Sequence, residues 1–246
     1  MLLSRVKYFL MRTFEKYRSY LILLSKRRSR QGLYEFLRQH YSRIPAGAKV
    51  LSVGAGGEIH DLLVSYATAK GFHVVSLDID RNREPDIVGD ICTTSLGDSH
   101  FDAVVLCEVL EHLKSPDQGL CNIYRMLKYG GKLILSAPFI LPIHDQPHDY
   151  FRFTRFGLEM LLKDFQKVAV SERNSYFEAI DVLWMRLLME KSRRALIIGC
   201  VFAPIIYFLQ RPLTVLLNHL ILSNSMTTGY TAIAIKEYHN NTTETM

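Results

Sequence analysis

Histidines and carboxylates are concentrated in one loop of the 246-residue chain, within the sequence HDQPHDYFRFT that begins at His144. A histidine titrates near neutral pH and can accept a proton from a substrate, and a neighbouring carboxylate can orient its ring. We predict that His144 or His148 is a general base, and that Asp149 orients it or binds a substrate hydroxyl. The alternative is a structural pair of Asp149 with Arg152, in which the histidines only cap the turn.

A second group of ligand-type side chains lies upstream, in the sequence CEVLEH. Glu108, Glu111 and His112 would share one turn if a helix started here, and His144 or His148 could complete an oxygen-rich site for Mg²⁺. The same sequence is compatible with a purely structural turn between a strand and a helix. We expect no metal, with a magnesium site at these residues as the alternative.

A glycine-rich turn, Gly54-Ala55-Gly56, follows an apolar run. Glycine lets the backbone turn sharply and approach a ligand, and the helix amides beyond it are donors. Asp78 follows Gly54 by 24 residues, at the end of the next predicted strand, where a carboxylate can bind both ribose hydroxyls. Ile59 replaces the last glycine of the dinucleotide fingerprint. We therefore predict a ligand with a ribose but no pyrophosphate; otherwise Asp78 is merely a polar strand end.

The elements that position these residues alternate between short apolar runs and helical patterns from residue 49 onward. This alternation predicts an α/β fold with one doubly wound, mostly parallel sheet of seven strands. The first helix of the sheet is predicted by Ile59, Leu62, Leu63 and Tyr66, and it ends at Gly71. The predicted strands lie at residues 49–53, 73–78, 86–90, 101–107, 131–137, 167–172 and 229–236.

Positive charge is concentrated at the amino terminus. The chain has a formal net charge of +6, and residues 1–45 hold eleven Lys or Arg residues against Glu15 and Glu35. The remainder is mildly acidic, which argues against an extended nucleic-acid groove there. Apolar residues recur at helical spacing between the cations of residues 1–32, so we predict a basic amphipathic arm. Either it lies in a membrane interface or it covers the catalytic domain.

An uncharged apolar segment precedes the last predicted strand, at residues 195–210. Its sixteen residues are fewer than the roughly 20 that a bilayer-spanning helix needs, and Pro204 and Pro212 interrupt the region. We predict a monotopic hairpin or interfacial helices; the alternative is a pair of helices packed on the sheet or on a second subunit. The predicted organisation is an arm at 1–32, a core at 33–178, an apolar helical insertion at 179–226, the final strand at 227–238 and a polar tail at 239–246.

Four cysteines are scattered along the chain without a CxxC pair. This distribution excludes a disulfide scaffold and a zinc knuckle. We predict buried free thiols and a reducing compartment, that is, the cytoplasm.

Residues 49–138 resemble the core of class I S-adenosylmethionine-dependent methyltransferases with a type-11-like domain. The sequences VLSVGAG and CEVLEH are similar to the VLDVGAG and vLEH motifs of that family. The resemblance covers about residues 33–172 and the last strand; Ser52 replaces the usual acidic residue and Glu58 the third glycine. It implies a Rossmann-like sheet and S-adenosyl-L-methionine as cofactor. The implied cofactor-binding residues are Ser52, Gly54, Ala55, Gly56, Asp78, Ile79, Asp90, Ile91, Cys107 and Glu108.

The loop at His144 is similar to H-x-x-P-H-D-Y-x-R-x-T loops in methyltransferases found with cell-surface glycan and lipid biosynthesis. The ExxEH sequence resembles metal sites of small-RNA 2′-O-methyltransferases and of some quinone-pathway O-methyltransferases. We therefore expect a peripheral, monotopic enzyme at the inner face of the membrane that methylates an oxygen of a lipid-linked, glycan or other small-molecule acceptor. The alternatives are a nucleic-acid methyltransferase and a non-catalytic scaffold with this fold.

Overall fold

The computed structural model describes residues 2–187, 193–221 and 223–237. The chain divides into two compact units. The first, here called the sheet unit, contains residues 33–139, 143–171 and 229–246, and the second, the helical unit, contains residues 1–32, 140–142 and 172–228. The predicted polar tail at 239–246 lies outside the described residues.

A seven-stranded sheet organises the sheet unit. Its strands are β1 (Lys49–Val53), β2 (His73–Asp78), β3 (Ile87–Val88), β4 (Phe101–Cys107), β5 (Leu127–Pro138), β6 (Gln166–Glu172) and β7 (Gly229–Ile235). The order is β3-β2-β1-β4-β5-β7-β6. Strands β1 to β5 pair in parallel and β7 runs antiparallel to β5. The predicted doubly wound, mostly parallel sheet is confirmed.

Four strands differ in length from the sequence prediction, β6 and β7 by only one residue each. Strand β3 stops at Val88, because Asp90 already accepts turn hydrogen bonds from the amides of Thr93 and Thr94. Strand β5 begins at Leu127, four residues earlier than predicted. Its register against β4 shifts near Phe101, so the extra residues are accommodated as an irregularity rather than as a loop.

Four helices belong largely to the sheet unit, namely α2 (Gln31–Tyr41), α3 (Gly57–Lys70), α4 (Pro116–Met126) and α5 (Arg155–Leu161). Helix α3 ends where predicted, at Gly71, whose left-handed conformation lets its amide donate to Ala67. Successive strand residues point to opposite faces of the sheet. Val50 therefore packs with Leu37 and Leu63 in one core, and Leu51 with Ile123 and Leu162 in the other.

The helical unit contains α1 (Leu2–Ser29), α6 (Tyr176–Arg186), α7 (Arg193–Ile205) and α8 (Arg211–Leu220). A π-helical turn, Ile206–Gln210, separates α7 from α8. Pro204 lies inside the last turn of α7, and Pro212 lies in the first turn of α8, where a missing amide proton costs little. Buried Asp181 of α6 accepts a 3.0 Å hydrogen bond from Thr214 of α8.

Large apolar side chains of the helical unit are exposed, and we call this set the apolar surface. Phe208 and Leu209 are each 71% exposed. Monomeric soluble proteins rarely expose contiguous apolar patches of large area. Among the described residues, no helix has the length and apolar character that a membrane span needs. The apolar surface comprises Trp184, Ile197, Ile198, Val201, Phe202, Ile205, Phe208, Leu209, Leu213, Val215, Leu216, Leu220 and Ile221.

The cysteines are all free thiols, as predicted. Cys107 and Cys200 are buried and Cys92 is half-buried. The prediction of burial is wrong for Cys121, which is exposed on α4 between the buried residues Leu120 and Asn122. Neighbouring helical residues point in different directions, and the spacing of isolated cysteines carries no information about this face.

Lys236 connects the end of β7 to the end of α4. Its ammonium group donates to the carbonyls of Leu127 at 2.8 Å and Arg125 at 3.3 Å. The same group lies 4.9 Å from the ring centroids of both Tyr124 and Tyr129. Burial lowers the pKa of Lys236. This lysine therefore satisfies carbonyl groups that α4 leaves without intrahelical partners.

Lys236→Met is expected to lower the free energy of unfolding by about 1–3 kcal/mol, because buried carbonyls lose a charged donor. Urea denaturation followed by circular dichroism measures the change. The control is Lys163→Met, at an exposed lysine, which should remain within about 0.5 kcal/mol of the parent. Equal stability of the two variants would contradict the role assigned to Lys236.

Candidate active site at the carboxyl ends of the strands

The glycine turn after β1 requires residues without a side chain. Gly54 has φ of +90°, and its amide donates to the carbonyl of Leu77 at 2.8 Å. A Cβ atom at this position would lie 2.8 Å from Cγ2 of Val109. Gly56, with φ of +80°, is the N-cap of α3. The turn therefore presents backbone and the amino end of a helix to a ligand.

Asp78 braces this turn from the end of β2. Its side chain is 7% exposed. Oδ2 accepts a hydrogen bond from the Ala55 amide at 2.7 Å, and Oδ1 accepts one from the Asp80 amide at 2.8 Å. Nη1 of Arg83 lies 3.5 Å from Oδ2. A carboxylate has about four acceptor positions, so Asp78 keeps acceptor capacity beyond these contacts, and its predicted binding of ribose hydroxyls stays a prediction.

The other predicted cofactor residues occupy different environments. Ile79 is 72% exposed at the end of β2. Asp90 is half-buried and its Oδ1 accepts from the amide of Cys92 at 2.9 Å. Ile91 and Cys107 are buried in the two hydrophobic cores. Their side chains face the protein interior, so any ligand contact at these two positions would come from the backbone.

Ser52 is also turned inward, because its hydroxyl lies 3.1 Å from Nδ1 of His60 on α3. Glu58, in the first turn of α3, instead accepts a hydrogen bond from the phenol of Tyr34 on α2. Sequence reasoning identified Glu58 as a departure from the family pattern but did not identify Tyr34 or Arg83. No local pattern connects residues on separate elements, so neither contact had a sequence signal.

Glu108 follows β4 with φ of +57°. This left-handed conformation is uncommon outside glycine, asparagine and aspartate, and it costs free energy that the surroundings must supply. Its amide donates to the carbonyl of Ser136 and its Oε1 accepts from the Ser136 hydroxyl, both at 3.0 Å. Residues in such conformations cluster at functional sites. The predicted position of Glu108 beside the sulfonium remains a prediction.

Three ligand-type side chains, Glu111, His112 and His144, place one ligand atom each within 4.8 Å of one another. Here they are called the EHH cluster. The Glu111 side chain is 0% exposed, and neither carboxylate oxygen has a hydrogen-bond partner among the described residues. Nε2 of His112 lies 3.7 Å from Oε1 and Nε2 of His144 lies 3.6 Å from it. A buried carboxylate in this position needs a proton or a cation nearby.

The Nδ1 atoms of His112 and His144 both face oxygen atoms. Nδ1 of His112 donates to the backbone carbonyl of His148 at 2.6 Å, and Nδ1 of His144 lies 3.3 Å from Oδ2 of Asp149. These oxygens favour the tautomer with the proton on Nδ1, which leaves both Nε2 atoms for Glu111 or for a ligand. The hydrogen-bond pattern therefore points the Nε2 atoms of both histidines toward the centre of the EHH cluster.

The surroundings of Glu111 and Asp149 shift the pKa values of these two carboxyl groups in opposite directions. Arg152 donates to both oxygens of Asp149, at 2.5 and 2.6 Å, and lowers the pKa of Asp149 to about 2. Burial raises the pKa of Glu111. The interaction with the Glu111 carboxylate, whose Oε1 lies 3.6 Å from Nε2, is the main cause that raises the pKa of His144 above its ordinary value. Asp149 is thus ionised at neutral pH and can stabilise a proton on His144.

Of the two predicted bases, the structure orients His144 toward both acids. The His148 ring is exposed, and its Nδ1 lies 3.0 Å from the hydroxyl of Tyr150. The pair of Asp149 with Arg152, which the sequence left as an alternative, is also present. The same carboxylate therefore holds Arg152 and faces His144, so the two interpretations are compatible.

The EHH cluster differs from the predicted magnesium set. Glu108 is engaged by Ser136 and the His148 ring faces Tyr150, whereas His144 joins Glu111 and His112. The partnerless oxygens of Glu111 and the two inward nitrogens fit a divalent cation, which would supply positive charge next to an acceptor oxygen. They also fit an imidazolium of His144 paired with the Glu111 carboxylate.

A required cation makes a specific prediction. If the EHH cluster holds a required cation, incubation with EDTA followed by gel filtration should abolish turnover and leave the affinity for the methyl donor unchanged, because the glycine turn and Asp78 contribute no atom to the EHH cluster. Turnover in a radiolabel assay and donor binding by calorimetry measure the two effects. Restoration by Mg²⁺ or Mn²⁺ is the control. Undiminished activity in EDTA would leave the imidazolium pair as the state of the cluster.

The fold and the glycine turn together define a nucleoside-binding α/β domain. Residues 51–135 match the family described as "Methyltransferase domain". The chain is 34% identical over 100 residues to a demethylmenaquinone methyltransferase of Renibacterium salmoninarum, covering 37% of this chain and 41% of that protein. It is 31% identical over 107 residues to a ubiquinone biosynthesis O-methyltransferase of Xanthomonas axonopodis, covering 38% and 44%.

Solved structures share the fold. A SAM-dependent methyltransferase from Archaeoglobus fulgidus superposes with a TM-score of 0.52 at 17% identity, covering 93% of this chain and 99% of the other. A Haemonchus contortus phosphoethanolamine N-methyltransferase gives a TM-score of 0.54 at 17% identity, covering 85% and 53%.

Residues 51–135 therefore match a methyltransferase domain, as the sequence motifs predicted, and the chain shares its fold with solved S-adenosylmethionine-dependent methyltransferases. S-adenosylmethionine is the cofactor of that class. The matched segments span less than half of the two curated relatives described above.

Proposed function

We propose that this protein transfers a methyl group from S-adenosylmethionine to an oxygen of a lipid-linked, glycan or other small-molecule acceptor at the inner face of a membrane. One observation carries the proposal. The glycine turn with Asp78 and the EHH cluster follow the carboxyl ends of parallel strands in a single, mostly parallel sheet, so donor and acceptor groups can meet at one edge.

The chemistry requires alignment and a proton acceptor. As the acceptor oxygen attacks the methyl carbon in line, the O–CH₃ bond forms, the S–CH₃ bond breaks and S-adenosylhomocysteine leaves with the sulfur electron pair. The sulfonium already makes the carbon electrophilic, so the protein mainly positions the two reactants. Nε2 of His144 takes the hydroxyl proton, and Asp149, 3.3 Å from Nδ1, stabilises the imidazolium.

The acceptor loop offers aromatic surface beside its charged groups. Phe151 stacks on Phe153 with ring centroids 5.8 Å apart, and Tyr150 and Phe151 remain partly exposed. Rings of this kind contact flat or apolar acceptors favourably. The curated relatives are named for demethylmenaquinone and for ubiquinone biosynthesis, whose acceptors are small molecules. These observations support an apolar, ring-bearing acceptor.

Membrane attachment is supported by the helical unit. Helix α1 combines exposed aromatic residues, such as Tyr8 and Phe9, with exposed cations, such as Arg12 and Lys16. Arg194 of α7 adds an exposed cation to the helix that contributes Ile197 and Val201 to the apolar surface. Apolar side chains with flanking cations suit the interface of an anionic bilayer. The four free thiols suit the reducing cytoplasmic side.

Phe208→Ser is expected to reduce binding to vesicles of phosphatidylglycerol and phosphatidylcholine about tenfold, because a fully buried phenyl group contributes roughly 1.5–3 kcal/mol. Co-sedimentation with sucrose-loaded vesicles measures the partition coefficient. The matched control is Phe156→Ser, at an exposed phenylalanine of the sheet unit, which should bind like the parent. Equal binding by both variants, or no binding by the parent, would remove the membrane from the proposal.

The proposed activity is tested in two steps. Isothermal titration of the full chain with S-adenosylmethionine should show saturable binding. Mass spectrometry of a total lipid and glycan extract, incubated with protein and isotopically labelled donor, should then show one labelled methyl ether. Absence of donor binding at high protein concentration would reject the enzyme, whereas donor binding without a labelled lipid or glycan would reject only the acceptor class.

A further inference from the structure

A cavity of about 290 Å³ opens at the amino-terminal edge of the sheet, away from the glycine turn. It lies where α2 ends and where β4 and β5 begin. All of its lining residues belong to the sheet unit. The volume is close to the lower end of the range for small-molecule sites, about 300–1,000 Å³. Neither the donor nor the acceptor site described above uses these residues.

The cavity has an excess of positive charge. Arg43 and Lys132 line it and are exposed, and neither side chain has a hydrogen-bond or ion-pair partner within the part of the chain that the structure describes. The acidic lining residue Asp102 is already neutralised, because its Oδ1 accepts from Lys128 at 2.8 Å and its Oδ2 accepts from the Lys49 amide at 2.8 Å. Two cations without a side-chain partner therefore line one open cavity.

The remaining walls are apolar or aromatic. Ile44, Ala103 and Ile134 contribute buried apolar side chains, and Tyr129 contributes a half-exposed ring. His40 lies at the same cavity, and burial together with the charges of nearby Arg43 and Lys132 lowers its pKa. A lowered pKa of a histidine is the direction expected where the electrostatic potential is positive. The cavity thus offers both an anion site and an apolar wall.

We propose that this cavity binds a small phosphate monoester whose organic part is compact and apolar. The guanidinium of Arg43 can donate two parallel hydrogen bonds to a phosphate, and the ammonium of Lys132 adds a point charge. A dianion matches the two unpaired cations, whereas a neutral molecule would leave both uncompensated. The small volume of the cavity favours a soluble ester rather than the head group of a lipid held in a bilayer.

The test titrates the full chain with phenyl phosphate in calorimetry, with inorganic phosphate as the minimal probe and benzyl alcohol as the uncharged analogue. We expect saturable binding of phenyl phosphate and none of benzyl alcohol. The double variant Arg43→Gln/Lys132→Gln should weaken binding by roughly a hundredfold, about tenfold for each cation removed. Lys163→Gln, at an exposed lysine outside the cavity, should bind like the parent.

Donor binding by the same variants reports that the sheet unit remains folded, and it separates this proposal from the proposed methyl transfer. The proposal is overturned if the parent shows no phenyl phosphate binding at millimolar concentration, or if the double variant binds as well as the parent. It is also overturned if the variant loses binding only to vesicles containing phosphatidic acid, since the source of phosphate would then be a lipid.

Discussion

Asp78→Asn should weaken the binding of S-adenosylmethionine by about a hundredfold, the largest effect on donor affinity expected from a single isosteric change. In the parent, the backbone amides of Ala55 and Asp80 both donate to the Asp78 carboxylate. The asparagine side chain retains one acceptor oxygen, but its NH₂ group is a donor and would face one of these two backbone amides. Hydrogen bonds to charged groups contribute about 1.5–3 kcal/mol each. The loss of one such bond in the turn, together with one to the ribose, gives the expected factor. Isothermal titration calorimetry measures the dissociation constant.

Asp98→Asn is the matched control, because Asp98 forms an exposed ion pair with Arg125 at 3.0 Å and makes no contact with the glycine turn. Exposed pairs of this kind contribute at most about 1 kcal/mol to stability, so the donor affinity of this variant should equal that of the parent. If Asp78→Asn binds the donor normally, the carboxylate is only a brace for the turn, and the ribose contact assigned to it is wrong.

His144→Ala is expected to lower kcat by about a thousandfold, within the range of roughly 10²–10⁴ that a general base contributes. Donor binding should be unchanged, because the ring faces Glu111 and Asp149 rather than Asp78. Single-turnover assays with labelled donor measure the rate, and calorimetry measures donor binding. His148→Ala, on the same loop, is the control and should retain most activity, since its ring contacts only Tyr150 among the contacts described.

The pH dependence identifies the group that titrates. His144 accepts a proton only when neutral, and Glu111 raises the pKa of His144 above its ordinary value. The rate should therefore be low in acid and rise with pH, with a midpoint above about 6.5. Glu111→Gln removes the charge that favours the imidazolium, so it should move that midpoint to lower pH. A midpoint that does not move would assign the titration to another group.

The sheet could be predicted almost completely from the sequence, because parallel strands buried on both faces produce short apolar runs bounded by glycine and polar residues. The end of α3 could also be predicted, because a single glycine, Gly71, marks it. The early start of β5 was missed, since Lys128 and Gly130 interrupt the apolar pattern there. Pairing with β4 and β7 outweighs that local composition.

The candidate site was predicted less completely. The glycine turn and Asp78 were accessible because backbone geometry restricts which residue types can occupy them. The choice between His144 and His148 could not be predicted, because it depends on which ring lies next to Asp149 after the loop has folded. The contacts of Tyr34 and Arg83, and the absence of Glu108 from the EHH cluster, depend on how separate segments pack, for which one sequence contains no signal.

The apolar surface of the helical unit has a consequence for handling the protein. In aqueous buffer its exposed isoleucine, leucine and phenylalanine side chains favour self-association. Specific activity measured without lipid should therefore fall as protein concentration rises, and a mild surfactant or nanodisc should restore it. Light scattering recorded beside every kinetic run distinguishes a slow enzyme from an aggregated one.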